Sequence, residues 1–167
     1  MHSVNELIDR EAIKELKAQY CRCVDTKQWG PLRELFISDA RFEGFGSVPS
    51  GSRRDTFVSG VSSRLVGAVS VHHCHTPEIT LLSEGCARAV WAMEDYVEWP
   101  TASDRPEGPA ALGYRGFGFY EDEYVKTANS WKISFSRLAR LRIDSLDPPR
   151  PPVFQGWTRP SLEWLDG

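Results

Sequence analysis

Several things are scarce in this sequence. No apolar run approaches the roughly 20 residues that crossing a bilayer requires, and the polar, acid-containing start lacks the apolar centre of a secretory leader. A cytoplasmic protein with no membrane attachment is expected. Cysteine is sparse: Cys21, Cys23, Cys74 and Cys86 are too few for a disulfide scaffold of this size and contain no C-x-x-C pair. On a helix Cys21 and Cys23 lie about 200° apart around the axis, so they cannot grip one ion together, and reduced thiols are expected. Positive charge is not in excess either. Lys and Arg total 20 against 23 Asp and Glu, a net charge of -3 that offers nucleic acid or anionic lipid no general attraction. Small neutral or apolar partners fit better.

What is present describes an ordinary globular chain. Its 167 residues suffice for one domain with a continuous core and a pocket, and 41% hydrophobic with 26% charged residues is typical of that class. The expected division is a domain over residues 1–145 and a Pro/Trp-rich tail over 146–167. The tail's consecutive prolines cannot continue a strand, and Phe154, Trp157 and Trp164 are expected to pack on the domain or on a neighbouring subunit.

The chain opens helical and turns to β. Ser3-Val4-Asn5-Glu6 reads as a capping box for a helix from Val4 to Asp25, with Leu7, Ile13, Leu16, Tyr20 and Val24 as its apolar stripe. A second helix is predicted over Trp29 to Ile37, a strand over Ala40 to Phe45, and a third helix over Asp55 to Leu65. Four segments rich in β-branched and aromatic residues follow: Val69 to Leu82, Cys86 to Trp99, Leu112 to Thr127 and Ser130 to Asp144. Consecutive strands imply a mostly antiparallel sheet, and the preceding helices must cover one of its faces. The fold class is therefore α+β, a cone of three helices on a curved sheet. The Gly/Pro-rich stretch between the second and third long strands should form a flap at one sheet end.

Three of the four histidines lie in "VHHCHTPEI", residues 71–79. On a strand His72 and Cys74 share one face, and His73 and His75 the other. His73 and His75 make two arms of an imidazole site, but a third ligand is missing, so no metal is expected. An imidazole facing a cavity, with a carboxylate holding its other nitrogen, is an acid-base device. Asp25, at the end of an otherwise amphipathic helix, is the candidate carboxylate; the bland alternative is an exposed helix terminus beside a satisfied core histidine. Tyr20 lies on the apolar stripe and is equally a core residue. It stands about 140° from Asp25 on an ideal helix, so spacing alone does not aim both at one cavity. Arg140 and Arg142 share a face of the last strand as edge residues or inward donors. Trp91, Phe117 and Phe119, with Phe42 and Phe45 of the early strand, are candidates to line a pocket for a planar apolar ligand, or to form the sheet core.

Three segments, "REAIKELKAQYCRCVDTKQWGPLRELF", "HHCHTPEITLLSEGCARAVWAMEDYVEW" and "GFYEDEYVKTANSWKISFSRLARLRI", resemble in order and spacing the SnoaL-like branch of the nuclear transport factor 2-like (cystatin-like) superfamily. The likeness spans Ile8 to Ile143 and lies nearest the bile-acid 7-alpha-dehydratases, with hexachlorocyclohexane dehydrochlorinase and scytalone dehydratase further off. It implies catalytic roles for Tyr20, Asp25, His72 and Arg140, with His73 as the alternative imidazole. Phe42 and Phe45 stand where the dehydratase carries a further active-site tyrosine. The resemblance also implies a homo-oligomer, trimer or dimer. The expected function is a lyase of the dehydratase type, needing no cofactor, that abstracts a carbon-bound proton from a hydrophobic, steroid-like or polycyclic hydroxy-ketone. A ketosteroid-type isomerase, a non-catalytic small-ligand-binding module and the small subunit of a ring-hydroxylating dioxygenase are the other readings.

Overall fold

The computed structural model describes residues 3–83, 85–99, 112–128 and 130–146, together with 160, 161 and 165. The predicted flap and the aromatic residues of the tail lie outside them. The elements run α1 (Val4–Asp25), α2 (Trp29–Glu34), β1 (Phe36–Glu43), β2 (Ser52–Arg53), α3 (Arg54–Arg64), β3 (Val69–Ser83), β4 (Cys86–Glu98), β5 (Gly113–Lys126) and β6 (Trp131–Ser145).

The capping box closes the start of α1: the Glu6 amide donates to Ser3 Oγ at 3.2 Å, and the Ser3 amide donates to Glu6 Oε2 at 2.7 Å. Ile13, Leu16, Tyr20 and Val24 are buried as the stripe predicts, but Leu7 is 51% exposed. It lies about 120° around the axis from the centre of the buried face, which explains the correction. The second helix stops earlier than the sequence suggests. Leu35 caps α2, and Phe36 opens β1 by pairing with Ile133. Leu32, Leu35 and Phe36 are all buried, although the last of them is strand and not helix.

Six strands form one sheet in the order β2-β1-β6-β5-β4-β3. The long strands β3 to β6 pair antiparallel, and among the described residues only β1 against β6 is parallel. The sheet is curved and unclosed, and the three helices cover its concave face. Alternation is clear on β4: Ala87, Ala89, Trp91, Met93, Asp95 and Val97 point inward. Phe36, Phe42, Phe45 and Phe57 pack together between β1 and α3, with Phe42 stacked on Phe57 at 3.8 Å between centroids. After β1, Gly44 turns with φ +73°, and a side chain there would meet the Leu138 carbonyl oxygen at 2.2 Å. Only glycine allows this close passage, which carries Phe45, Gly46 and Ser47 over the mouth of the cone.

Candidate active site

The interior of the cone is not filled solid. Between α1, α3 and the concave sheet lies a chamber with about 60 Å³ of inner room, within about 470 Å³ of empty space once its open mouth is counted. Val24, Phe45, Val61, Leu65, Val97 and Leu138 form its apolar wall, and Tyr20, His72, Asp95, Tyr114, Tyr120 and Arg140 form its polar wall. Ser47 and Arg64 also line it.

His72 reaches the chamber because it alternates inward on β3 with Ser70 and Cys74. Its back is held by the last residue of α1. Nδ1 lies 2.6 Å from Asp25 Oδ1, and the His72 backbone amide donates to Asp25 Oδ2 at 2.7 Å. Each carboxylate oxygen therefore has a contact with His72. As a carboxylate accepts and does not donate, the Nδ1 hydrogen points at Asp25, and in a neutral ring the lone pair is on Nε2. Nε2 faces the chamber with Asp95 Oδ2 at 4.0 Å, beyond hydrogen-bond length. One turn earlier, Cys21 Sγ lies 3.5 Å from Cys74 Sγ, so two rungs tie α1 to β3. All four cysteines are free.

Opposite His72, Asp95 and Arg140 form a bidentate pair with Nη1 to Oδ1 at 2.6 Å and Nη2 to Oδ2 at 2.5 Å. Burial works against the Arg140 cation, but the hydrogen bonds and charge of Asp95 outweigh it and its pKa is raised. The pair needs the space above Gly116. A Cβ there would meet Arg140 Nη1 at 2.2 Å and Asp95 Oδ1 at 2.3 Å. Burial drives the Tyr20 and Tyr120 phenols well above their ordinary pKa, and Tyr114 upward too, so all three remain protonated donors at neutral pH. The Tyr20 and Tyr120 rings meet edge to face with centroids 5.8 Å apart.

Of the candidates read from the sequence, Tyr20, His72, Arg140 and Phe45 line the chamber, and Asp25 stands behind His72. The others are elsewhere. Phe42 is fully buried beneath α3, and Trp91 lies in the core, where its Nε1 donates to Tyr124 Oη at 3.0 Å. Phe117 and Phe119 are partly buried, alternating away from the inward Gly118 and Tyr120, and His73 is exposed on the outer side of β3. The period-2 rule that separates His72 from His73 also turns Phe117 and Phe119 away from Tyr120. Asp95 and Tyr114 were missed. The signal for Asp95 was an acid at an inward position between Met93 and Val97 of an apolar strand face, which demands a partner. Among the described residues no group of three or more His, Cys, Asp or Glu side chains gathers as a metal site.

Helices covering one face of a curved open sheet, with a polar chamber between, define a cone-shaped α+β pocket protein. The chain belongs to the SnoaL-like domain family, whose match spans residues 5–137. It is similar in structure to a protein of Kribbella flavida, with 21% identity, TM-score 0.69 and coverage of 82% of this chain and 93% of that one. A protein of Novosphingobium aromaticivorans named for scytalone dehydratase matches with 19% identity, TM-score 0.70 and coverage of 92% and 97%. A type 2 hexachlorocyclohexane dehydrochlorinase matches with 18% identity, TM-score 0.70 and coverage of 89% and 97%. At these identities the likeness speaks for the fold.

Proposed function

We propose that the protein is a lyase acting without a cofactor, which eliminates water from a hydrophobic hydroxy-ketone with His72 as base and Asp25 as its orienting carboxylate. The observation that carries this reading is the asymmetry of His72: Nδ1 is locked to Asp25 Oδ1 at 2.6 Å, while Nε2 looks into the chamber. Such an imidazole is poised to take a proton, and the carboxylate stabilises the imidazolium that results. The names of two structural neighbours, a scytalone dehydratase and a dehydrochlorinase, support elimination as the reaction class.

In this mechanism His72 Nε2 removes the proton α to the carbonyl. The C–H electron pair enters an enolate, whose oxygen receives a hydrogen bond from the Tyr20 phenol. The pair then forms the new C=C bond as the C–O bond at the β or vinylogous carbon breaks. Hydroxide leaves with the proton returned by the imidazolium, giving water and a conjugated ketone. Arg140 has Asp95 on two of its nitrogens, so its charge is offset, and Tyr20 is the stronger candidate for the oxyanion. The 60 Å³ inner room admits the reacting end of a substrate, while the rest of a polycyclic molecule would lie in the mouth beside Phe45 and Arg64.

The test is a panel of hydroxylated 3-oxo steroids and single-ring hydroxy-ketones, followed by conjugated-enone absorbance with wild type and His72→Ala. Loss of the base is expected to lower kcat by about 10² to 10⁴-fold. A His72→Ala protein that turns over as fast as wild type would sink the proposal. In D2O, deuterium appearing α to the carbonyl without loss of hydroxide would point to the isomerase reading instead.

A further inference from the structure

The end of α1 has an unusual residue at its cap. The Gln28 amide donates to the Cys23 carbonyl at 2.8 Å and the Lys27 amide to the Val24 carbonyl at 3.2 Å, the crossed pair of a Schellman motif. Its left-handed position normally takes glycine. Here Lys27 occupies it at φ +61°, alone among the described non-glycine residues in having positive φ. A side chain in that conformation costs on the order of 1 kcal/mol against glycine.

The lysine side chain supplies a reason. Lys27 Nζ donates to Ser70 Oγ at 2.6 Å, and Ser70 Oγ donates to Asp25 Oδ1 at 3.0 Å. That oxygen is the one bonded to His72 Nδ1. Ser70 is buried, and behind it an outer groove of about 630 Å³ is lined by Asp25, Thr26, Lys27, Ala68, Ser70 and Val71. The histidine–carboxylate pair is thus bracketed by a cation from outside the cone.

We infer that Lys27, acting through Ser70, is a positioning residue that holds the Asp25 carboxylate against His72 and offsets the carboxylate charge that His72 faces. The inference rests on the reading of His72 and Asp25 as the catalytic pair. Its physics is direct. An unopposed carboxylate stabilises imidazolium, and a cation beyond the carboxylate weakens that field. The other charged groups facing the pair are Asp95 of β4, Arg140 of β6 and Arg64 of α3. The neighbouring titratable groups are Tyr20 and Cys21 of α1, Cys74 of β3, and Tyr114 and Tyr120 of β5. A change at Lys27 leaves all of these in place. Burial lowers the Lys27 pKa, while the Asp25 charge acts to raise it.

Lys27→Gly separates this role from a structural one, because glycine is the residue the cap prefers. In the full chain, the His72 ring titration followed by 15N NMR should move to higher pH by about half a unit or more, as expected for loss of one cation at this range in a partly screened site. The Tm should stay level or rise, the acidic limb of kcat/KM should move to higher pH with the titration, and Lys27→Arg should restore both. Coincident His72 titrations in wild type and Lys27→Gly would overturn the inference. The titration needs no substrate, so the two readings fail separately: a shifted titration in a protein that turns over nothing on the panel leaves this inference standing and removes the proposed function.

Discussion

Two polar clusters of the cone, one around Lys17 and Asp122 and one around His72 and Asp25, differ in how fully they are satisfied. Deep in the chain's interior, Lys17 and Asp122 form an ion pair at 2.8 Å with both side chains almost wholly out of solvent. Asp122 also accepts from Tyr124 Oη at 2.8 Å and Ser136 Oγ at 2.6 Å, and Lys17 Nζ sits 3.6 Å from the centroid of the Tyr120 ring. Neither Lys17 nor Asp122 lines the chamber. Around His72 the arrangement is the reverse: Asp25 is satisfied but partly open to the outer groove, and His72 Nε2 faces the chamber with no partner within hydrogen-bond length among the described residues. A buried charge with every partner in place specifies packing. One that leaves an adjacent nitrogen without a partner beside a cavity is the arrangement that the proposed chemistry needs.

The sharpest way to break this contrast is to remove one acid from each cluster. Asp122→Ala strands the Lys17 ammonium and two hydroxyls in the interior, and it should lower unfolding stability by about 3–5 kcal/mol in a urea titration. Asp25→Ala exposes its former partners to the outer groove, where water can replace it, and should cost no more than about 2 kcal/mol while abolishing most elimination. Equal losses of stability from the two substitutions would mean that the clusters do not differ as described.

The middle-sized test concerns the wall opposite His72. At Gly116 a methyl group would stand within 2.3 Å of both Asp95 and Arg140. Gly116→Ala must push the guanidinium–carboxylate pair toward the chamber. About 1–3 kcal/mol of stability should be lost through overpacking, together with a tenfold or greater fall in kcat/KM. A variant that keeps the wild-type rate would show that the position of this pair does not matter to the reaction.

Much of this was legible in the chain, and the reasons differ by element. The start of helix α1 was legible because its cap is chemical, a Ser3/Glu6 box, and the four long strands because β-branched and aromatic runs end at turn residues. The end of α2 was not legible: Leu35 and Phe36 are inward on either a helix or a strand, and only pairing with Ile133 decides between them. The site divides the same way. Alternation sets His72 and His73 on opposite faces without saying which is inward, and the meeting of His72 with Asp25 crosses 47 positions of sequence, which periodicity cannot join. Asp95 carried a signal in its apolar surroundings. The role argued for Lys27 carried almost none, because a lysine after a helix reads as solvent-exposed until the backbone turns it back.

The smallest effect sharpens the contrast from outside. His73 and His75 belong to the same histidine cluster as His72, yet both are exposed on the opposite side of β3. Substituting glutamine at both keeps polarity and approximate size, and the strand register is fixed by the pairing of His72 with Asp95 and Cys74 with Met93. The double variant should therefore retain kcat/KM within about twofold and change stability by no more than about 0.5 kcal/mol. It should also leave a single assignable imidazole on the strand for the titration of His72. A large loss of activity would place a catalytic imidazole on the convex face, and the assignment of the base to His72 would have to be abandoned.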